Sequence, residues 1–313
     1  MKHLFIVNPL AGDIKGHAGE VVERIETFLS SHSHLRADIH VTRWKRDAVG
    51  YVRRYIQDAG EFVRVYAVGG TSTLFEVING AIGLPNAQVA NCPMGRCNSF
   101  VRSFGEKNIY LFRSLRNLVF SNTVPVDAIR CGYNYSVSFS TIGSESISGL
   151  NGEAIMDLFG YNSDIFYRLA ALCNLLKPDA GTSYKITLDG TTLDGDYISM
   201  LIANQPCYGI GLKPAVDAIP NDGLLDLYLV RRTSRLQRAR MMHDYTHGRY
   251  GRWPRYIAHH AGKRLSISSG EVMSICTDGE RSYNTSIEFE IVPYAVDFVS
   301  PKGVRHETDN GDD

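Results

Sequence analysis

Long apolar runs are missing from this 313-residue chain. No stretch approaches the length of a membrane span, so a helical passage through a bilayer is not expected. The opening run Leu4-Phe5-Ile6-Val7 is shorter than the apolar core of a signal peptide. Net charge is missing as well. The 33 Lys plus Arg balance 33 Asp plus Glu, which argues against a nucleic-acid binder that works through a strong basic field. The six cysteines, at 92, 97, 131, 173, 207 and 276, form no CxxC pair. A disulfide framework or zinc site is not expected, and a reducing cytoplasm is the simplest home. Among the ten histidines, the pairs His243/His247 and His259-His260 lack a third ligand and read as a solvated helix face.

The central stretch runs from Arg64 to Gly80. Val65 to Val68 carry no charge and favour a buried strand. Gly69-Gly70 permits a tight turn. Leu74, Val77, Ile78 and Ala81 recur at helical spacing, and Thr73 with Glu76 has the spacing of a capping box. A helix starting just after a glycine turn aims free N–H groups and a partial positive charge at one spot, which suits a phosphate. Before this, Leu4 to Val7 and Ile39 to Thr42 read as strands. Val21, Val22, Ile25, Phe28 and Leu29 mark one helix, and Asp47 opens another that buries Val49, Val52 and Ile56. Strands alternating with helices imply a parallel sheet in a layered α/β domain. Ligands in such domains bind beyond the carboxyl ends of the strands. Those ends carry Asn8-Pro9-Leu10-Ala11-Gly12, Thr42, Gly69 to Thr73 and, after a strand at Gln88 to Asn91, the turn Cys92 to Phe100 with Arg96 and Asn98.

Asn8-Pro9-Leu10-Ala11-Gly12, Gly69-Gly70-x-x-Thr73 with Glu76-Val77-Ile78-Asn79-Gly80, and Pro93-x-Gly95-x-x-Asn98-x-Phe100 together resemble the diacylglycerol kinase catalytic-domain family. That family includes bacterial lipid kinases and sphingosine kinases and is related more distantly to NAD kinases. Two loops depart from its pattern. Thr71 and Ser72 stand where Gly-Gly-Asp-Gly-Thr has its Asp and third Gly. Gly95-Arg96-Cys97-Asn98-Ser99 replaces Gly-Thr-Gly-Asn-Asp. Two carboxylates are gone and an arginine is added. If the backbone takes positive φ at 72 or 97, Ser and Cys each cost about 1–2 kcal/mol there. Thr71 donates a hydrogen bond but neutralises no cation.

After residue 125 the texture changes to strands: Val126 to Arg130, Tyr135 to Thr141, Ser183 to Leu188, Tyr197 to Ala203, Leu225 to Val230, Arg264 to Ser268, Val272 to Cys276 and Ile287 to Ile291. Asp189-Gly190 is a hairpin turn, and Asp194-Gly195 marks a loop before the next strand. Helices are expected over Ile165 to Leu176 and, capped by Ser234, over Leu236 to Tyr245. The natural solution is an antiparallel β-sandwich. The expected organisation is α/β plus β: a nucleotide-binding α/β domain over 1–124 with a C-terminal return at about 292–306, a β-sandwich over 125–291, and a disordered tail over 307–313.

The resemblance implies ATP and Mg2+ as cofactors, with the nucleotide between the domains against Asn8, Pro9, Leu10, Ala11, Gly12, Thr42, Gly69, Gly70, Thr71, Ser72, Thr73, Leu74, Phe75, Arg96 and Asn98. It places a structural magnesium at Asp222 and the carbonyls of Ile219 and Leu224, since hard oxygen donors suit that ion. In Thr277-Asp278-Gly279-Glu280, it makes Glu280 the proton acceptor and Asp278 its support. Gly143 to Ser146 replaces the family's usual Gly-Phe-Asp-Ala on the lipid-facing wall. The implied reaction is ATP-dependent phosphorylation of a membrane-lipid hydroxyl such as that of diacylglycerol. The enzyme would be cytoplasmic and peripheral to the membrane, with no nucleic-acid partner and room for a homodimer. The alternative is a pseudokinase that binds an anionic ligand or partner through the same crevice. The cluster Arg231, Arg232, Arg235, Arg238 and Arg240 reads as a solvated face or a contact for anionic lipid headgroups.

Overall fold

The computed structural model describes residues 1–12, 16–95, 97–143, 182–209 and 211–304. The expected helix Ile165 to Leu176, the positions Ser144 to Ser146, Arg96, and the tail from Glu307 lie outside the described residues. The chain divides into two compact units. The first holds Met1–Ala128, Pro220–Asp222 and the chain from Val292 onward; the second holds Ile129–Ile219 and Gly223–Ile291.

In the first unit, strands β1 (Lys2–Val7), β2 (Arg36–Val41), β3 (Val63–Gly69) and β4 (Ala87–Pro93) alternate with helices α1 (Ala18–Ser30), α2 (Asp47–Ala59) and α3 (Thr71–Ala81). The strands pair in parallel in the order β2-β1-β3-β4, as a chain that returns through a helix after each strand requires. Every residue of β3 is buried, and burying each valine side chain contributes about 1.5–3 kcal/mol. Short helices α4 (Ser99–Arg102), α5 (Ile109–Phe112) and α6 (Leu115–Phe120) follow β4. Phe100 meets Phe298 edge-on and Phe104 stacks on it, with centroids 4.7 and 5.8 Å away.

The helix starts differ in detail from the sequence expectation. Residue Arg46, not Asp47, is the N-cap of α2, and Val49 is half-buried while Ala48, Val52 and Ile56 are buried. No capping box forms at α3, whose N-cap is Gly70. Thr73 is buried inside the helix, and Glu76 spends its carboxylate on α2 instead, accepting the N–H groups of Arg46 at 2.8 Å and Ala48 at 3.2 Å.

In the second unit the strands are antiparallel: β5 (Thr123–Cys131), β6 (Asn134–Ser136), β7 (Phe139–Gly143), β8 (Thr182–Leu188), β9 (Thr191–Thr192), β10 (Gly195–Ala203), β11 (Leu225–Arg231), β12 (Ile257–Gly262), β13 (Arg264–Thr277) and β14 (Glu280–Val299). Both β5 and β14 begin in one unit and end in the other. Strand β10 buries both faces. Met200 and Ile202 join a cluster with Ile186, Leu227 and Ile267. Leu201 and Ala203 join a second with Tyr228, Met241 and Tyr245. The last two side chains belong to helix α7 (Arg235–Thr246), whose N-cap Ser234 accepts the N–H of Gln237 as expected. Burial on both faces is what two packed layers demand of a central strand.

Three sequence expectations change here. Tyr135 to Thr141 is not one strand but β6 and β7, broken at Val137-Ser138 because Asp278 accepts the Ser136 hydroxyl and the Phe139 N–H across the break. The expected strands Arg264 to Ser268 and Val272 to Cys276 are one strand, β13, with an irregular register between Ser268 and Met273. His259 and His260 lie on β12, not on a helix face.

Candidate functional site

The carboxyl ends of β1, β3 and β4 meet in the first unit. Asn8 closes β1 by donating its N–H to Val68 O at 3.1 Å. Its side-chain oxygen accepts the N–H of Leu10 at 3.0 Å, and its amide nitrogen donates to Thr73 Oγ1 at 3.1 Å. Asn8 therefore clamps the Pro9-to-Gly12 loop and the first turn of α3 together. Thr42 sits beside them, its N–H on Val7 O at 2.9 Å. Met94 and Gly95 donate to Gly69 O at 2.9 and 3.2 Å.

Glycine is required at this junction for space. A Cβ on Gly69 would lie 2.3 Å from Thr73 Oγ1, and one on Gly95 would lie 2.3 Å from the Gly70 Cα. The two turns thus touch backbone to backbone. Asn98 takes the left-handed conformation, φ 47°, and donates its side chain to Gly95 O. Ser72 lies in the right-handed first turn of α3, so the missing glycine costs no backbone strain there. A helix begun at Gly70 leaves its first N–H groups without intrahelical partners.

Among the described residues, Thr71 Oγ1 and Asn98 Oδ1 at this junction, and both amide atoms of Asn91 within β4, are buried without a hydrogen-bond partner. An unmet buried polar group costs about 1–3 kcal/mol. Asn91 was not among the residues read from sequence as site residues. Its signal was a lone amide in the apolar run of β4, opposite Ala67. Leu10 is exposed, whereas Leu74 and Phe75 are core side chains, so only their backbone can serve a ligand. Burial pushes the Cys92 thiol up to about 12, which leaves it inert beneath the turn.

In the loop after Thr42, Arg43, Trp44, Lys45 and Arg46 are exposed. Arg46 adopts φ 67°, held by its N–H bond to Glu76. His40 stacks on Tyr51 at 3.7 Å and contacts Asp47 at 3.0 Å, and Asp47 also accepts the Arg43 N–H. The described crevice residues Asn8, Thr42, Gly69 to Thr73, Gly95 and Asn98 include no carboxylate, and the nearest one on α3, Glu76, is committed to α2. Among the described residues, no three His, Cys, Asp or Glu side chains gather as metal ligands.

Asp278 and Glu280 flank the turn between β13 and β14 in the second unit. Asp278 (φ 46°) and Gly279 (φ 89°) form a two-residue hairpin of mirror-image turn type. Asp278 is 1% exposed and accepts Ser136 Oγ at 2.7 Å and Phe139 N at 3.2 Å. Burial raises its pKa to about 6 against the opposing pull of those hydrogen bonds. Its role is to lock β6, β7 and the hairpin together. Glu280 opens β14 opposite Thr277 and is half-buried. Asp222 lies in the Pro220–Asp222 segment of the first unit, whose Pro220 carbonyl accepts the Asp127 N–H at 2.7 Å, while Ile219 and Leu224 are counted with the second.

A family model for the diacylglycerol kinase catalytic domain matches residues 2–131, and one for the YegS C-terminal NAD kinase beta sandwich-like domain matches residues 152–300. A protein of Staphylococcus epidermidis named "Putative lipid kinase" is 25% identical over 296 residues, covering 92% of each chain. A "Probable lipid kinase YegS-like" of Shewanella frigidimarina is 26% identical over 271 residues, covering 84% of each. The structure titled "putative diacylglycerol kinase from Bacillus anthracis str. Sterne" shares the fold, with a TM-score of 0.73 at 23% identity over 97% of this chain and 98% of that one. With a diacylglycerol kinase catalytic-domain match over residues 2–131 and a YegS-type sandwich match over residues 152–300, the chain has the two-domain make-up of the diacylglycerol kinase catalytic-domain family.

Proposed function

We propose that the protein is an ATP-dependent kinase acting on a hydroxyl of a membrane lipid such as diacylglycerol. The observation that carries this reading is the junction of Asn8, Gly69 to Thr73, Gly95 and Asn98 at the carboxyl ends of the parallel strands, with a buried Thr71 hydroxyl that has no hydrogen-bond partner among the described residues. The backbone N–H groups free at the start of α3 are donors that fit the phosphates of a nucleotide. The α3 amides hold them, Asn8 fixes the loop that covers them, and the glycine contact keeps side chains out of their space. Glu280 is the proposed acceptor of the lipid hydroxyl's proton. Magnesium, when bound, supplies charge neutralisation for the transferred group. The crevice does not fit a metal held by protein carboxylates, because Thr71 offers only a hydroxyl. Asp222, with the carbonyls of Ile219 and Leu224, keeps the hard oxygen chemistry that suits a separate structural magnesium.

The absent carboxylate favours a second reading, in which the crevice binds an anion without metal and transfers nothing. Labelled ATP offered with diacylglycerol in mixed micelles, with and without Mg2+, separates the two. The kinase reading expects magnesium-dependent labelled phosphatidic acid. A thermal shift with ATP that is indifferent to chelator, with no labelled lipid from a panel of diacylglycerols, would overturn it in favour of the binding protein.

A further inference from the structure

Eight arginines stand between positions 231 and 255, with Asp244 the single acidic residue among them, in a chain whose charges cancel only when this segment is included. The fold gathers them. Arg231 donates its N–H to Tyr256 O at 2.7 Å, which brings the backbone of Arg232 near Arg255, while the Arg231 guanidinium lies over the Tyr197 ring at 5.3 Å. Arg249 and Arg252 both reach Asp244 Oδ1, at 3.1 and 3.3 Å. Arg240 precedes Asp244 by four residues, so the two stand one turn apart on the same side of α7. Arg231, Arg232, Arg240, Arg249, Arg252 and Arg255 are exposed, whereas Arg238 turns inward. Met241 and Tyr245, each one residue further round α7 than Arg240 and Asp244, are buried in the core. Arg249 and Arg252 share the one carboxylate of Asp244, so the segment carries more positive charge than its own acidic residue balances, and a polyanion complements it.

We propose that this surface docks the protein on a bilayer containing anionic phospholipids. Guanidinium forks match phosphate oxygens two at a time, and here every cation in the segment is arginine. Trp253 and Tyr256 lie half-buried within the same surface, and such rings settle at headgroup depth. No helix among the described residues is long and apolar enough to cross a membrane, so a surface contact brings the protein to a lipid. A nucleic acid is the less fitting polyanion, because the chain as a whole has no positive field. The inference rests on the lipid-kinase reading only for choosing a bilayer as the polyanion.

The test is co-sedimentation of the full chain, without nucleotide, with vesicles of phosphatidylcholine alone or mixed equally with phosphatidylglycerol. The wild type is expected to bind the mixed vesicles only, less as salt rises. Arg240→Glu with Arg255→Glu is expected to weaken binding by about tenfold or more. Lys107→Glu with Arg116→Glu changes the same net charge on exposed residues of the first unit and is expected to leave binding within about twofold of wild type. Equal loss in both double variants, undiminished binding of the first, absence of binding to the mixed vesicles, or tighter binding to a single-stranded oligonucleotide would each overturn the proposal. Circular dichroism checks that the variants fold. Turnover of a soluble short-chain diacylglycerol reports on the kinase reading separately, since it needs no vesicle.

Discussion

Gly95 stands so close to Gly70 that a Cβ on the first would lie 2.3 Å from the Cα of the second. The Cα is backbone and a Cβ is bonded rigidly to its own, so neither can swing away. Gly95→Ala is expected to cost about 1–3 kcal/mol, the usual range for overpacking, and to abolish the thermal shift given by ATP. Gly19→Ala in α1, where a Cβ meets nothing within 4 Å, serves as the control. It is expected to gain up to about 1 kcal/mol from helix propensity. Urea titrations of both variants measure the difference.

Asp278 ties stability to pH in an unusual direction. Its folded pKa of about 6 lies above the ordinary 3.8, so the native state holds the proton more tightly than the unfolded chain. The associated stabilisation is fully present below about pH 4 and is lost as pH rises through about 6, an effect on the order of 3 kcal/mol. In Asp278→Asn the amide replaces the titrating group, and the Ser136 hydroxyl can rotate to accept from it. The stability of wild type relative to Asp278→Asn should fall between pH 4 and pH 7 by about that amount. A difference independent of pH would show that Asp278 is ionised throughout.

Glu76 caps a helix to which it does not belong. Glu76→Ala removes the acceptor for two N–H groups at the start of α2 and is expected to destabilise by about 1–2 kcal/mol. Glu76→Gln keeps one acceptor oxygen and should recover part of the loss. If Glu76 acted as a local box with Thr73, Thr73→Ala and Glu76→Ala would be redundant. Here the two are expected to add, because they act on different helices.

Two substitutions address chemistry. Glu280→Gln is expected to lower the rate of lipid phosphorylation by about 10²–10⁴-fold, as removal of a proton acceptor predicts. Thr71→Asp places a carboxylate in the first turn of α3, where the helix dipole favours it by about 0.3–1 kcal/mol. It should also make the ATP thermal shift more dependent on magnesium than in wild type, read by differential scanning fluorimetry with and without chelator.

The parts of the fold legible in the sequence were those set by neighbours in the chain. Val65 to Gly70 announced a buried strand and a close turn, and Asp189-Gly190 announced its hairpin, where φ values of 47° and 84° now stand. Ser234 announced the start of α7. What stayed hidden depends on partners far away. The break between β6 and β7 is made by a carboxylate 142 residues downstream of Ser136, and the use of Glu76 depends on an N–H 30 residues earlier. For the site, the glycines and Asn8 could be read because close backbone approach demands particular residue types. Asn91 could not, since an amide inside a strand looks like a local exception until its burial and missing partners are seen.

The first unit is finished by the last part of the chain. Strand β14 supplies Phe298, which pairs in register with Val89 and packs against Phe100 edge-on and Phe104 face-on. During synthesis, then, β4 waits at an open edge while the whole second unit is being made, and an N-terminal fragment ending at Ala128 would leave the ribosome with that edge bare. Removing a handful of residues around Phe298 should therefore injure the glycine junction, some two hundred positions upstream, more than it injures the strands beside them.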